Sequence, residues 1–257
     1  MQRIITYKVE KLPKISIVTV TFNCESLIEK TIKSVIGQSY PNIEYIIVDG
    51  LSKDNTLKVV EQYREHIDIV ISEKDKNNYD AMNKGMRAAT GDYIWFLHAG
   101  DIAESPYVLE EIFKNHKDED FIYGKVRIVD AEENSIPWHK KHPTADKISW
   151  KSFRNGMIVC HQAMLPHRRI WQEYRFEKYR LVADLDWTIR ILKKAKTYKD
   201  SGIVMCSFLK GGISAKHRKA SWKERFNILK EHFGLFPTLW EHLRIAAQAF
   251  KRGNLAP

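Results

Sequence analysis

The chain has 257 residues, of which 44% are hydrophobic, and it carries a formal net charge of +10. This length and apolar content suit one large α/β domain, or a domain with an elaborated C-terminal part, and they exclude a disordered chain. Three scattered cysteines, Cys24, Cys160 and Cys206, indicate neither a disulfide framework nor a metal-binding motif and favour a reducing compartment.

The ends of the chain bear on its location and partners. Residues 1–14 lack an apolar signal core, and no stretch approaches the roughly 20 apolar residues that cross a bilayer, so we expect a cytoplasmic protein. Residues 210–257 hold ten Lys and Arg against three Glu. Such a basic end suits nucleic acid, an anionic membrane or a phosphorylated substrate. No zinc-finger or helix-turn-helix pattern accompanies it, which makes nucleic acid the weaker alternative.

Short apolar runs alternate with helical patterns in the first part of the chain. Strands are predicted at residues 15–21, 44–49, 67–72 and 93–97, and helices at residues 27–36, 56–64 and 80–89. Strands separated by helices predict a mostly parallel sheet with helices on both faces. Ligands of such sheets bind beyond the carboxyl ends of the strands, so polar residues at those ends are candidates for a site.

The pattern loosens after residue 105. A strand is predicted at residues 121–129, a polar loop at 130–147, an apolar run at 157–165, a helix at 184–194, and two amphipathic helices near 222–233 and 237–251. The apolar stripes of the last two helices suit core packing, a partner helix or peripheral attachment to an anionic membrane.

Polar residues follow three of the predicted strands. The first strand runs into Thr21 and Asn23, the second stops at Asp49, and the fourth leads through His98 to Asp101. Any one of these acids alone would be interpreted as a turn or capping residue, but together they indicate a ligand site. Asp49 has no helix to cap at the right distance, and its carboxylate can accept a hydrogen bond from a base N–H such as uracil N3.

Five segments together resemble the family-2 glycosyltransferases of the GT-A fold, in that family's order and spacing. They are SIVTVTFN (16–23), SVIGQSY (34–40), EYIIVDG (44–50), YDAMNKG (79–85) and TGDYIWFL (90–97). The resemblance implies a GT-A fold and an inverting transferase. It also implies a nucleotide diphosphate-sugar donor, with a UDP-sugar favoured, the cofactor Mn²⁺ or Mg²⁺, and a role in polysaccharide synthesis.

On the donor side, the resemblance assigns the metal to Asp101, the single carboxylate of a shortened acidic motif. His98 departs from the family pattern, and three roles stay open for it: contact with the ribose, contact with the metal, or packing. The resemblance also makes Asp80 and Asn83 candidates for the donor pocket. Asp75 lies in a loop that departs from the family's glycine, which leaves that loop's role open.

A basic loop is a further donor-side candidate. Residues 211–219 follow a predicted strand, and Lys216 and Arg218 would supply positive charge if this loop closed over the donor diphosphate. A solvated surface turn is the alternative.

Inverting transfer needs a base that removes the proton of the acceptor hydroxyl. In the resembling family this base is an acid at the start of a C-terminal helix, which matches Asp184, with Asp186 as its companion on the acceptor side. An ordinary acid in a first helical turn is the alternative. His161 and Gln162 match a family His-Gln pair near the acceptor or diphosphate, and a buried structural histidine is the alternative for His161.

These expectations divide the chain into a GT-A catalytic domain of residues 1–215 and basic amphipathic helices at 216–257. Within the domain, residues 14–104 would bind the nucleotide-sugar and residues 105–215 would form the acceptor side. A catalytically inactive nucleotide-sugar-binding or scaffold subunit is the competing hypothesis. A Rossmann oxidoreductase ranks last, because the first βα turn lacks the glycine fingerprint. Expected partners are a nucleotide-sugar and a saccharide or lipid-linked acceptor, without nucleic acid; the sequence does not define the oligomeric state.

Overall fold

The computed structural model describes residues 12–130, 134–136, 142–211 and 217–251, with side chains described as far as residue 244. Predicted features at residues 131–133, 137–141 and 212–216 lie outside the described residues. Among these are Lys216 and most of the basic loop.

The first sheet is wholly parallel and contains the four predicted strands in the order β3-β2-β1-β4. Its strands are β1 (Ile15–Thr21), β2 (Ile43–Asp49), β3 (Ile69–Ser72) and β4 (Tyr93–Phe96). Because parallel strands point the same way, all four place their carboxyl ends at one edge. The predicted parallel sheet is confirmed.

Helices α1 (Ile28–Ile36), α2 (Thr56–Glu61) and α3 (Asn78–Ala88) follow the first three strands. Successive residues of β1 alternate between two cores: Val18 packs in one and Ile17 in the other. This alternation follows from the two-residue period of a strand and leaves the sheet covered on both faces.

Helix α3 begins two residues before its predicted start, because the side chain of Asn77 accepts hydrogen bonds from the N–H groups of Tyr79 and Asp80. The glycine at position 85 of this helix is required for steric reasons. A Cβ placed on Gly85 would lie 2.3 Å from a methyl carbon of Val18, so only glycine lets α3 approach β1 this closely.

A second, mixed sheet was not predicted. It consists of β5 (Ile102–Ala103), β6 (Phe121–Val129), β7 (Ser135–Ile136), β8 (Met164–Pro166) and β9 (Tyr198–Leu209). Its order is β5-β9-β6-β7, with β8 on β6, and only β6 and β9 run parallel. One prediction needs correction here, because β7 lies in the expected polar loop. The apolar run at 157–165 carried no predicted element; it contains a 3₁₀ turn at His161–Ala163 and the start of β8 at Met164.

The C-terminal half adds α4 (Val108–Phe113), α5 (Ala183–Leu192), α6 (Arg218–Phe233) and α7 (Leu235–Lys251). Helix α6 packs on α5, and α7 packs on α6 and on a 3₁₀ turn at Trp150–Asn155. Within the described part of the chain, no helix has the length and apolar character that crossing a bilayer requires.

Candidate active site

The carboxyl edge of the parallel sheet gathers the predicted polar residues. Thr21 ends β1 directly opposite Asp49, which ends β2, and the chain leaves β4 through His98 to Asp101. Asp49 and Asp101 therefore share one edge, as predicted from the strand pattern.

Thr21 and Asn23, the candidates that end and follow β1, differ in their environment. Thr21 is buried, and its hydroxyl oxygen has no hydrogen-bond partner among the described residues. Because an unpaired buried hydroxyl costs free energy, this group is free to bind a ligand at the strand end. Asn23 is exposed, has a φ of 51°, and accepts a hydrogen bond from the N–H of Lys53 at 2.8 Å. It shapes the neighbouring loop, and its contact with a donor stays a prediction.

Asp49 is fully buried and is held by two serines, one in the turn that follows it and one at the end of β3. The Ser52 N–H donates to its Oδ2 at 3.0 Å and the Ser72 hydroxyl donates to the same oxygen at 2.9 Å, while the Ser52 hydroxyl donates to Oδ1. The carboxylate is therefore fixed at the edge but shielded by serines. A base N–H would reach it only after Ser52 moves, so contact with a base remains a prediction.

Asp75 is an additional carboxylate at this edge. A Cβ placed on Gly50 would lie 2.9 Å from its Oδ2, so the end of β2 touches the loop before α3. Burial raises the pKa of Asp75 against the opposing effect of Lys84, which donates to it at 2.7 Å. Asp80 holds the same loop by accepting from the N–H of Lys76 at 2.9 Å. The motif around residue 80 thus positions Asp75, which joins the donor-side candidates.

Asp101 is a buried carboxylate without a cationic partner among the described residues. Its Oδ2 accepts from the N–H of His98 at 3.0 Å and from the Gln162 amide at 3.4 Å. Burial raises the pKa of Asp101 to about 7, although these hydrogen bonds and the nearby His161 oppose the effect. An ionised carboxylate in this position lacks compensating positive charge.

Two histidines connect Asp101 to the C-terminal half of the chain. The Nε2 atoms of His98 and His161 lie 3.0 Å apart, and His161 Nδ1 lies 3.6 Å from Asp184 Oδ2. Burial, together with the charge of His161, lowers the pKa of His98 to about 3, so His98 is neutral. The Nδ1 of His98 is buried without a described partner. Asp101, His98, His161 and Asp184 therefore form one continuous series of contacts.

Asp184 lies in the first turn of α5 with its side chain 19% exposed. The hydroxyl of Tyr79 donates to its Oδ1 at 3.2 Å. Tyr174 stacks on Tyr79 and on Trp187, at ring-centroid distances of 5.3 and 4.8 Å. Asp184 is thus held against aromatic rings while part of its carboxylate stays accessible, which is the arrangement that a general base needs. Sequence reasoning missed Tyr79, whose only signal was its place beside Asp80.

Helix α6 holds the segment that leads into Asp184. The carboxylate of Glu224 accepts hydrogen bonds from three consecutive backbone N–H groups, those of Arg180, Leu181 and Val182, at distances of 2.8 to 3.2 Å. These groups directly precede α5, so Glu224 fixes the start of the helix that carries Asp184. Sequence reasoning gave Glu224 no role.

The acceptor-side prediction for Asp186 is wrong. Its carboxylate is fully buried and engages Arg175, Arg190 and His232. Burial alone would raise the pKa of Asp186, but these partners outweigh burial and hold it well below its usual range. A carboxylate occupied by three basic side chains has no free lone pair for an acceptor, so Asp186 is a structural anchor of α5.

The donor-pocket prediction for Asn83 is also wrong. The side chain is fully buried, and both ends of its amide pair with the backbone of Tyr174, at 2.9 and 2.7 Å. Of the basic-loop candidates, Lys216 lies outside the described residues. Arg218 is the exposed first residue of α6 and has no described contact with the strand-end residues.

A divalent cation fits this site only together with phosphate oxygens. The described residues contain no group of three His, Cys, Asp or Glu side chains that could hold a metal by themselves. Mg²⁺ is commonly bound by one or two carboxylates plus substrate phosphates and water. Asp101 meets that need, because it is buried and has no cationic partner in the described part of the chain. Gln162 and His161 lie beside it.

Comparison with known proteins identifies the family to which this arrangement corresponds. Residues 16–194 match the family model described as glycosyl transferase family 2. An uncharacterised glycosyltransferase of Mycobacterium tuberculosis is 37% identical over 159 residues, which cover 59% of this chain and 57% of that protein. A putative teichuronic acid biosynthesis glycosyltransferase of Bacillus subtilis, TuaG, is 26% identical over 93% of this chain and 97% of its own length.

Solved structures share the fold. Staphylococcus aureus TarS in complex with UDP-GlcNAc superposes with a TM-score of 0.65 at 18% identity, over 84% of this chain and 65% of that one. The mannosyltransferase PcManGT of Pyrobaculum calidifontis, in complex with GDP-Man and Mn²⁺, gives a TM-score of 0.61 at 15% identity, over 96% and 77%. At this level of identity the likeness establishes the GT-A fold.

Proposed function

Because this chain belongs to glycosyl transferase family 2, we propose that it is an inverting glycosyltransferase. It would move a hexosyl or N-acetylhexosaminyl group from a nucleotide diphosphate-sugar, with a UDP-sugar favoured, to a hydroxyl of a saccharide or lipid-linked acceptor. TuaG, a relative similar over nearly its whole length, is named for teichuronic acid biosynthesis, which supports a role in surface polysaccharide synthesis.

The series of contacts from Asp101 to Asp184 carries the proposal. Asp101 follows β4, and Asp184 is the second residue of α5, more than 80 residues later, yet His98 and His161 bridge them through separations of 3.0 and 3.6 Å. A transferase needs a group that binds the leaving diphosphate and, across the reacting carbon, a base for the incoming hydroxyl. Two carboxylates joined by one series of contacts support such a division of roles.

Different residues of this chain would bind the donor and activate the acceptor, and the donor half lies at the strand ends. Thr21, Asn23 and Asp49 would bind the nucleoside at the strand ends, with Asp80 supporting the adjoining loop. Asp101 would hold a divalent cation, Mn²⁺ or Mg²⁺, whose charge neutralises the diphosphate as it leaves. His98 would line the space between Asp101 and the ribose.

The acceptor half lies around α5. Asp184 would take the proton of the acceptor hydroxyl as that oxygen attacks the anomeric carbon from the face opposite the leaving diphosphate, which inverts the configuration. His161 and Gln162 would orient the acceptor and the diphosphate. We place the enzyme in the cytoplasm, at the inner face of the membrane when the acceptor is lipid-linked.

Binding and turnover measured separately test this proposal. A panel of UDP-, GDP- and dTDP-sugars is screened for thermal stabilisation of the protein with and without Mn²⁺. The stabilising donor is then assayed for transfer and for hydrolysis, with the anomeric configuration of the product followed by NMR. We expect metal-dependent binding and an inverted product. A retained configuration would refute the role of Asp184, and binding without transfer or hydrolysis would favour the inactive nucleotide-sugar-binding or scaffold subunit.

A further inference from the structure

The described side chains of α7, those of residues 235–244, place large apolar groups outward and polar groups toward the protein. Phe236, Leu239, Trp240 and Leu243 are exposed, with exposed fractions of 83%, 41%, 69% and 66%. Their spacing of three and four residues places them on one side of the helix, which we call the apolar face. Toward the protein, α7 instead buries the polar residues Thr238 and Glu241.

The buried side of α7 is polar because it is held by specific contacts. Glu241 accepts from Arg244 at 2.7 Å and approaches Arg154 of the 3₁₀ turn at 3.3 Å. The Thr238 hydroxyl donates to the Gly234 carbonyl at 2.7 Å. No described residue covers these four large apolar side chains, and an exposed apolar patch of this kind marks an interaction surface.

In the hairpin formed by α6 and α7, the acidic side chains contact the protein and several basic side chains are exposed. Each of its three carboxylates is engaged within the protein: Glu224 with the backbone before α5, Glu231 with Arg175, Lys178 and Tyr179, and Glu241 with Arg154 and Arg244. The exposed basic residues of α6 have no carboxylate partner in the described part of the chain; they are Arg218, Lys219, Lys223 and Lys230. The outer surface of the hairpin is therefore apolar and positively charged.

Aromatic residues join the two helices of the hairpin. Trp222 of α6 is about half exposed, and its ring lies 6.4 Å from that of His242 on α7. Lys219 and Lys223 lie three residues before and one residue after Trp222 in sequence. Exposed tryptophan and phenylalanine beside lysine suit the boundary between lipid headgroups and acyl chains.

We propose that the apolar face of α7 inserts into the surface of an anionic lipid bilayer, with the exposed lysines of α6 binding the lipid headgroups. A second copy of this chain fits less well, because it would bring the same positive charges together. The membrane would be the partner of the proposed transferase, but lipid binding itself needs no sugar transfer, so the two proposals fail separately. Since α6 also carries Glu224, the lipid-binding hairpin is connected directly to the segment that positions Asp184.

Vesicle co-sedimentation of the full chain tests the proposal. The probes are vesicles of phosphatidylcholine alone and of phosphatidylcholine mixed in equal parts with phosphatidylglycerol. We expect binding to the anionic vesicles that weakens as salt rises, because salt screens surface charge. Equal binding to both kinds of vesicle, or none to either, would overturn the proposal without any variant being needed.

Matched variants locate the surface. Phe236→Ser combined with Trp240→Ser should weaken binding at least about tenfold, because two apolar rings no longer leave water. Lys219→Ala and Lys223→Ala should each weaken it about fivefold. Tyr107→Ser removes an exposed aromatic ring outside the hairpin and should bind like wild type.

The same variants separate lipid from protein partners. The double variant at the apolar face should keep the wild-type melting temperature and its transfer rate on a soluble acceptor, because both side chains are exposed and lie outside the active site. Wild-type vesicle binding by this variant would refute the assignment of the surface. A wild-type dimer that the double variant abolishes, without vesicle binding, would assign the face to a second copy of the chain.

Discussion

Asp184 and Asp186 lie two residues apart on α5, and their amide variants should fail in opposite ways. Asp184→Asn keeps the size of the side chain but cannot accept the acceptor's proton, so kcat should fall by ~10²–10⁴ with nearly unchanged donor affinity. Its described contacts are limited to the Tyr79 hydroxyl at 3.2 Å and the nearby His161. Loss of one such hydrogen bond costs about 1 kcal/mol, so the melting temperature should fall by only about 2–4 °C.

Asp186→Asn should instead unfold the protein at a lower temperature. Removing one partner from a buried ion pair costs roughly 3–5 kcal/mol. We expect the lower end, about 3 kcal/mol, because Arg175 is 32% exposed and keeps Glu231 as a partner. For a protein of this size, that corresponds to a fall of about 6–12 °C in the melting temperature.

The assay pairs a thermal melt of each variant with its kcat and a separate measurement of donor affinity. Donor affinity and kcat are compared well below the melting temperature, so that an unfolded fraction does not imitate a catalytic defect. A wild-type melting temperature for Asp186→Asn would refute the anchoring role that its buried position implies. Full activity of Asp184→Asn would place the base elsewhere.

Three further predictions address the metal, the support of the base and the acid sensitivity of the fold. Asp101→Asn should lower transfer at saturating Mn²⁺ at least about a hundredfold with an unchanged melt, and activity equal to that of wild type would exclude metal binding by Asp101. Glu224→Ala should lower kcat more than donor affinity, and Glu224→Gln, which keeps one acceptor oxygen, should restore part of the rate; equal loss in both would contradict a positioning role. Burial alone would raise the pKa of Glu44, but hydrogen bonds from Lys14 and its neighbours outweigh burial and lower it from 4.5 to about 2. A depressed pKa stabilises the fold above pH 4.5, and this contribution is lost as pH falls toward 2, so urea midpoints of Glu44→Gln should vary less over that range than those of wild type.

The fold of the first hundred residues could be predicted because its signals are local. Buried apolar runs of β-branched residues, separated by helical patterns, leave few arrangements other than a parallel sheet. The same pattern placed Thr21, Asp49 and Asp101 at one edge, since parallel strands end together. The start of α5, predicted at Asp184 and observed at Ala183, could also be predicted, because its apolar spacing and first-turn acid are helical signals.

The second sheet could not be predicted, because its pairings join distant parts of the chain. Strand β6 pairs with β9 in parallel, and its first residue, Phe121, lies opposite Tyr198. Strand periodicity predicts that a segment is a strand, but it does not identify the partner strand or its direction.

The sequence by itself indicated which acidic residues are candidates for chemistry, and only the tertiary structure decided what surrounds each of them. Asp184 and Asp186 are the same residue type on the same helix. Asp184 meets Tyr79 from 105 positions away in the chain, while Asp186 meets His232 from 46 positions away. The burial of Asn83 and the exposure of the apolar face of α7 were likewise decided by the tertiary structure, because burial depends on what packs against a side chain. A carboxylate's pKa, its free lone pairs and its exposure are set by neighbours that folding brings together, and no local pattern encodes those neighbours.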